Sequence, residues 1–85
     1  MSYKITYKKS VFKDLSKLEK SDAKKILSKI EKELKENAIQ HPILKGMFRG
    51  MRKLRVGNYR IIYVIMNNDV LILRVAHRKE VYKIQ

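Results

Sequence analysis

The 85-residue chain predicts an α+β domain: a small twisted, mainly antiparallel four-stranded sheet with an N-terminal αα-hairpin packed on it, in the order β-α-α-β-β-β. Three observations predict it. Residues 3–8 alternate apolar and polar, residues 10–37 carry apolar side chains at three- and four-residue spacing, and two alternating runs around Gly57-Asn58 are followed by a second turn signal and the apolar run 70–76. No linker, internal repeat or low-complexity segment divides the chain, so residues 1–85 read as one domain with a modest core.

Tyr3, Ile5 and Tyr7 place the first strand's inward face on alternate residues. Ser10 is the expected N-cap of a short helix whose Val11, Leu15 and Leu18 share one stripe. After a break at Leu18–Asp22, Ser21 or Asp22 is expected to cap a longer helix with Ala23, Ile26, Leu27, Ile30 and Leu34 inward. Lysines and glutamates occupy its wet faces, and Asn37 and then His41-Pro42 end it. Residues 38–50 form a connector in which Ile43, Leu44, Met47 and Phe48 anchor to the core.

Gly57-Asn58 is a tight-hairpin signal, since glycine supplies the positive φ that a twist-compatible turn needs. With these as the two loop residues, Val56 faces Tyr59, Arg55 faces Arg60 and Lys53 faces Ile62. Lys53, Arg55 and Arg60 then project from one face, where cations directly opposite each other destabilise the sheet and call for an anion. Asn67-Asn68-Asp69 is the next turn, followed by Val70–Ala76, apolar at nearly every position as in a strand covered on both faces. A two-residue second turn would set Arg60 against Val75 and bring His77 to the side of Lys53, Arg55 and Arg60.

Twenty-one Lys plus Arg against eight Asp plus Glu give a formal charge of +13, which favours a polyanionic partner such as nucleic acid, or an acidic protein. All six arginines lie between positions 49 and 78, where planar phosphate recognition would need them, while lysine coats the remainder. The chain has no cysteine, which excludes disulfides, thiolate metal sites and cysteine nucleophiles. Its two histidines, His41 and His77, fall in no metal-ligand spacing, and there is no glycine-rich phosphate loop or serine triad. Neither a metal nor a cofactor is expected. No apolar run approaches the roughly 20 residues of a membrane span, and the start lacks a signal core, so a soluble cytoplasmic protein is expected.

Lys53, Arg55, Arg60, His77, Arg78 and Tyr82 remain as candidates for chemistry. Without a metal they suit RNA cleavage by attack of its own 2′-hydroxyl. A lysine crowded by arginines is a candidate base, arginines clamp phosphate with two prongs, and a tyrosine stacks on an unpaired base. The same side chains also suit a plain nucleic-acid-binding patch, and the residues alone leave both readings open.

Leu44-Lys-Gly46, the hairpin Arg52-Lys-Leu-Arg-Val-Gly-Asn-Tyr-Arg60-Ile-Ile-Tyr63 and the segment Val75-Ala-His-Arg78-Lys-Glu-Val-Tyr82 resemble the RelE/ParE toxin superfamily over nearly the whole chain. The resemblance implies a RelE-like, metal-independent endoribonuclease that cuts messenger RNA in the ribosomal A site. It also implies a cognate acidic RelB-like antitoxin that holds the toxin in a heterocomplex. On this resemblance Lys53 assists the 2′-hydroxyl or steadies the transition state, Arg60 grips the scissile phosphate, Arg78 contacts phosphate and aids the leaving group, and Tyr82 stacks on the substrate. Arg55, Arg52 and His77 are expected to bind RNA. The chain departs from some members in carrying Met51 two residues before Lys53, where they have a lysine, and in carrying His77 where they have another. ParE-like toxins share the fold and hairpin but poison DNA gyrase. Arg78 with Tyr82 favours the ribonuclease branch, and a non-catalytic basic module is the third reading.

Overall fold

The computed structural model describes residues 2–44 and 50–77. Four strands, β1 (Lys4–Tyr7), β2 (Arg52–Val56), β3 (Tyr59–Met66) and β4 (Asp69–His77), form one sheet in the order β1-β4-β3-β2. Its two hairpin pairings are antiparallel, and β1 runs parallel to β4. The helices α1 (Lys9–Ser16) and α2 (Lys20–Lys29) lie between β1 and β2 in the chain, giving the expected α+β order.

Both helices begin earlier than their sequence caps suggest. The Lys8 N–H donates to the Ile72 carbonyl, so the chain stays tied to β4 until it turns, and Lys8 rather than Ser10 takes the cap position. Lys17 and Leu18 close α1 with bonds back to Asp14 and Leu15, leaving so short a link that Glu19, not Ser21 or Asp22, precedes the second helix. Neither cap residue makes a side-chain capping bond.

Beyond Lys29 the second helix widens into a π-helical stretch, Ile30–Leu34, then closes with an α-turn, Lys35–Asn37, and a 3-10 turn, Ala38–Gln40. The buried residues Ile26, Ile30, Leu34 and Ala38 recur every four positions. An α-helix has 3.6 residues per turn, so a strict four-residue stripe would drift off the sheet; the wider winding takes up the excess. These side chains pack with Val11, Leu54, Ile61, Tyr63, Val70, Ile72 and Val75 in the main core, and the Tyr63 hydroxyl donates to the Ala38 carbonyl at 2.6 Å.

The first hairpin has the expected register: Lys53 opposite Ile62, Arg55 opposite Arg60, Val56 opposite Tyr59, with Gly57 at φ 59°. The second turn is also a two-residue turn, Asn67-Asn68, with Met66 opposite Asp69. Its ladder shifts between Ile62 and Tyr63, however: Tyr63 pairs with Ile72 and Ile62 with Arg74, so Leu73 is the extra residue of a bulge. Arg60 therefore faces Ala76, not Val75, and His77 faces Tyr59 on the helix side of the sheet, away from Lys53, Arg55 and Arg60. The physical reason is charge. A regular ladder would have set Arg74 opposite Ile61 inside the main core, at the heavy cost of burying an unpaired cation. The bulge gives that place to Val75 and turns Arg74 outward.

On the outer face Leu44, Ile62 and Ala76 form a second, smaller cluster with Met51 and Leu73 against it, so β4 is covered on both faces as expected. Of the expected connector anchors, Leu44 is buried and Ile43 is 56% exposed, while Met47 and Phe48 lie outside the described residues. No described helix is long and apolar enough to cross a membrane.

Candidate functional site

The hairpin turn at Gly57-Asn58 fixes β2 against β3, and alternation along the paired strands brings Lys53, Arg55 and Arg60 to one outward patch. They line a cavity of about 450 Å³ at the margin of β2, together with Lys29, Glu33, His41, Pro42 and Leu54. The connector holds this margin in place: Lys53 N–H donates to the Pro42 carbonyl at 3.2 Å, Leu44 N–H to Met51 at 2.8 Å, and Ile43 bridges to Arg52.

Arg60 is the electrostatic centre of the patch. Its Nη1 is buried and has no hydrogen-bond partner, and the residue directly opposite on β2 is another arginine. A buried donor without an acceptor and a like charge across the ladder both raise the free energy of the empty site, and an anion relieves both. Ala76 stands opposite Arg60 on β4, so a methyl group rather than a large side chain borders the guanidinium there.

Glu33 is the acidic group in the cavity, and it is already engaged. Its Oε2 lies 2.8 Å from His41 Nε2, and its Oε1 accepts a 3.4 Å bond from the Asn37 amide. Desolvation pushes the Glu33 carboxyl up, but the bonds from Asn37 and His41 and the charges of His41 and Lys29 outweigh it and hold the group below the ordinary carboxylate range. The cavity therefore presents lysine and arginine while the carboxylate among its described lining residues is engaged with His41 and Asn37. His41, expected to be a plain loop residue, is part of this lining, and its ring meets Tyr63 edge-on at 6.5 Å. Its pairing with Glu33 crosses the π and 3-10 turns, which leave no spacing signature in the sequence.

The other candidates divide. Arg52 pairs opposite Tyr63 on the helix side, and its Nη1 donates to the His41 carbonyl at 2.7 Å, pinning the connector. His77 packs edge-on against Tyr59 at 5.9 Å, beside a cleft that includes Asp22. Burial and then the Asp22 carboxylate push the Tyr59 hydroxyl up from its ordinary range. Arg78 and Tyr82 lie outside the described residues. Sequence reasoning misses Arg74, which the structure places on the same outward face as Lys53 and Arg60. A lone cation within the apolar run 70–76 is the available signal. Among the described residues no group of three His, Cys, Asp or Glu side chains could hold a metal ion.

The family described as "ParE toxin of type II toxin-antitoxin system, parDE" matches residues 5–82 of this sequence. The chain belongs to the RelE/ParE superfamily of type II toxins. RelE1 of Methanocaldococcus jannaschii is 31% identical to it, with the match spanning 98% of each chain. The toxin–antitoxin complex RelBE2 of Mycobacterium tuberculosis includes a chain that superposes with a TM-score of 0.86 at 26% identity, covering 92% of this chain and 93% of that one. A chain of the ParDE system of P. aeruginosa superposes at 0.75 with 14% identity, covering 89% and 96%, a likeness of fold alone. In this chain the RelE/ParE fold carries an outward cation patch on its first hairpin, and sheet architecture by itself does not distinguish the superfamily's branches.

Proposed function

We propose that this RelE/ParE toxin is a metal-independent, ribosome-dependent endonuclease that cleaves messenger RNA in the A site and so inhibits translation. The observation that carries the reading is the unpartnered, partly buried Arg60 guanidinium among Lys53 and Arg55, with the adjacent carboxylate engaged elsewhere. In the proposed reaction the RNA 2′-hydroxyl loses its proton with help from Lys53, and its oxygen attacks the adjacent phosphorus. Arg60 neutralises the charge that grows on the non-bridging oxygens, where fixed donors lower the barrier most. The 5′-oxygen departs with a proton, leaving a 2′,3′-cyclic phosphate and a 5′-hydroxyl end. On the family resemblance Arg78 serves the leaving group and Tyr82 stacks on the substrate base. Arg55, and Arg52 and His77 from their separate positions, are assigned to the flanking RNA.

The chemistry of the patch and the family also support an acidic RelB-like antitoxin as partner, since a +13 chain with unpaired arginines is stabilised by an anionic cover. The Mycobacterium tuberculosis relative is itself a toxin–antitoxin complex.

The test is to induce the chain and map RNA 5′ ends genome-wide. New ends within translated codons are expected, and Arg78→Ala is expected to abolish them and the growth arrest while circular dichroism stays that of the wild type. Intact messages accompanied by gyrase-linked DNA breaks would transfer the protein to the ParE-like reading. That second reading is favoured by one finding, the match of residues 5–82 to the ParE toxin description.

A further inference from the structure

We propose that Arg74 holds a backbone phosphate of the bound RNA beside the one gripped by Arg60, completing with Lys53 a three-cation cradle across β2, β3 and β4. The identity of the nucleic acid rests on the reading above; the phosphate site rests on geometry.

Lys53, Ile62 and Arg74 form one cross-strand row on the outer face, with Arg60 and Ala76 in the next row. Lys53 and Arg74 stand about 10 Å apart across two strand spacings. Arg60 and Arg74 are diagonal neighbours, roughly 7–8 Å apart at Cα and within reach of long side chains. The cradle floor is apolar, made by Ile62 and Ala76 with Leu73 against them. Such a floor between cations suits a single strand, whose charged backbone alternates with bases and sugars.

Arg74 also lacks any partner of its own among the described residues. Its Nε is buried with no hydrogen bond, and it enters no ion pair. Asp14, which lines the same cleft, accepts the Val75 N–H at 3.0 Å and makes no bond to Arg74. The bulge at Leu73 spares the core this charge but leaves it diagonal to Arg60, with Asp14, the acid of its cleft, committed to the Val75 N–H rather than to the guanidinium. A phosphate between or beside the two guanidiniums supplies the missing acceptor.

The experiment titrates a labelled 2′-O-methyl single-stranded oligonucleotide, which 2′-hydroxyl attack cannot cleave, against the intact protein at several salt concentrations. Arg74→Gln is compared with Lys4→Gln, an equal charge change at an exposed position on the edge strand β1, opposite Asp69 at the far end of β4 from Arg74. Arg74→Gln is expected to bind about tenfold more weakly. Its slope of log affinity against log salt should fall by roughly 0.7, the single-strand value for one lost phosphate contact. Arg74→Lys is expected to keep the slope while losing part of the affinity. On translating ribosomes Arg74→Gln is expected to raise the half-saturating concentration more than it lowers the maximal cleavage rate. Equal effects from Lys4→Gln would reduce Arg74 to generic charge and overturn the proposal. Unchanged oligonucleotide binding with weakened antitoxin binding would overturn it in favour of a carboxylate partner. If the wild type cleaves no message yet the salt slope still depends on Arg74, the ribonuclease reading fails and the phosphate site stands.

Discussion

Glu33 shows how one side chain sets the character of the cavity. By accepting from His41 and Asn37 it leaves the neighbouring cations without a carboxylate of their own, and it ties the end of the helix to the connector. Its folded pKa lies below the unfolded one, so the unfolded chain binds the proton first as pH falls. The stabilisation is therefore complete above the ordinary carboxylate range and is lost as pH drops through the lowered folded value. The urea midpoint of Glu33→Gln should lie below that of the wild type at neutral pH, and the two should converge as pH falls through and below the ordinary carboxylate range. The difference above that window should be small, at most about 1 kcal/mol for a pair this close to solvent. A variant that tracks the wild type at every pH would show that the pair is not formed in solution. At this scale Lys53, Arg55 and Arg60 were legible in the sequence because a two-residue turn and strict alternation decide their face. Glu33 and His41 were not, because a π-helical stretch intervenes and no regular period relates them.

The two hairpins differ in how much of their geometry the residues disclose. In β2–β3 Gly57 takes φ 59° and the register follows from the turn. A β-carbon at Gly57 would meet nothing within 4 Å, so the cost of Gly57→Ala is purely the left-handed backbone. That cost is about 1 kcal/mol, and the variant should melt roughly 4–8 °C lower for a domain of this size. An unchanged melting temperature would mean that the turn relaxes to another type. In β3–β4 the turn was equally legible, with Asn67 at φ 59°, yet the register was not. Alternation fixes a register only where one face is polar, and β4 is apolar on both. A one-residue bulge is silent in such a strand, so alternation alone puts His77 on the wrong face and gives no reason to single out Arg74. The one signal was energetic: a regular ladder buries an arginine. The helix starts were missed for a related reason, since backbone bonds to β4 and a short inter-helix link outrank the capping preference of Ser10, Ser21 and Asp22.

For the molecule as a whole, electrostatics outside the core is governed by self-repulsion. The formal charge of +13 is carried by 85 residues, and the one ion pair between described residues involves a histidine. Salt that shortens the Debye length to about 10 Å or less should therefore stabilise the free chain. The urea midpoint is expected to rise between roughly 10 mM and roughly 500 mM sodium chloride, and more steeply with sulfate, which also occupies phosphate sites. A flat profile would mean that the cations are too well solvated to strain the fold. The same charges bear on the outer strand β2, whose outer side the connector covers up to Lys53, so that the stretch around Arg55 has no described strand or connector bonded to it. An outer strand with a free side is ordinarily a template on which a second copy can continue the sheet. Here a second β2 laid against the first would bring like cations together. The cations of the proposed phosphate site thus also disfavour edge-to-edge pairing of two copies, a second role for the same charges.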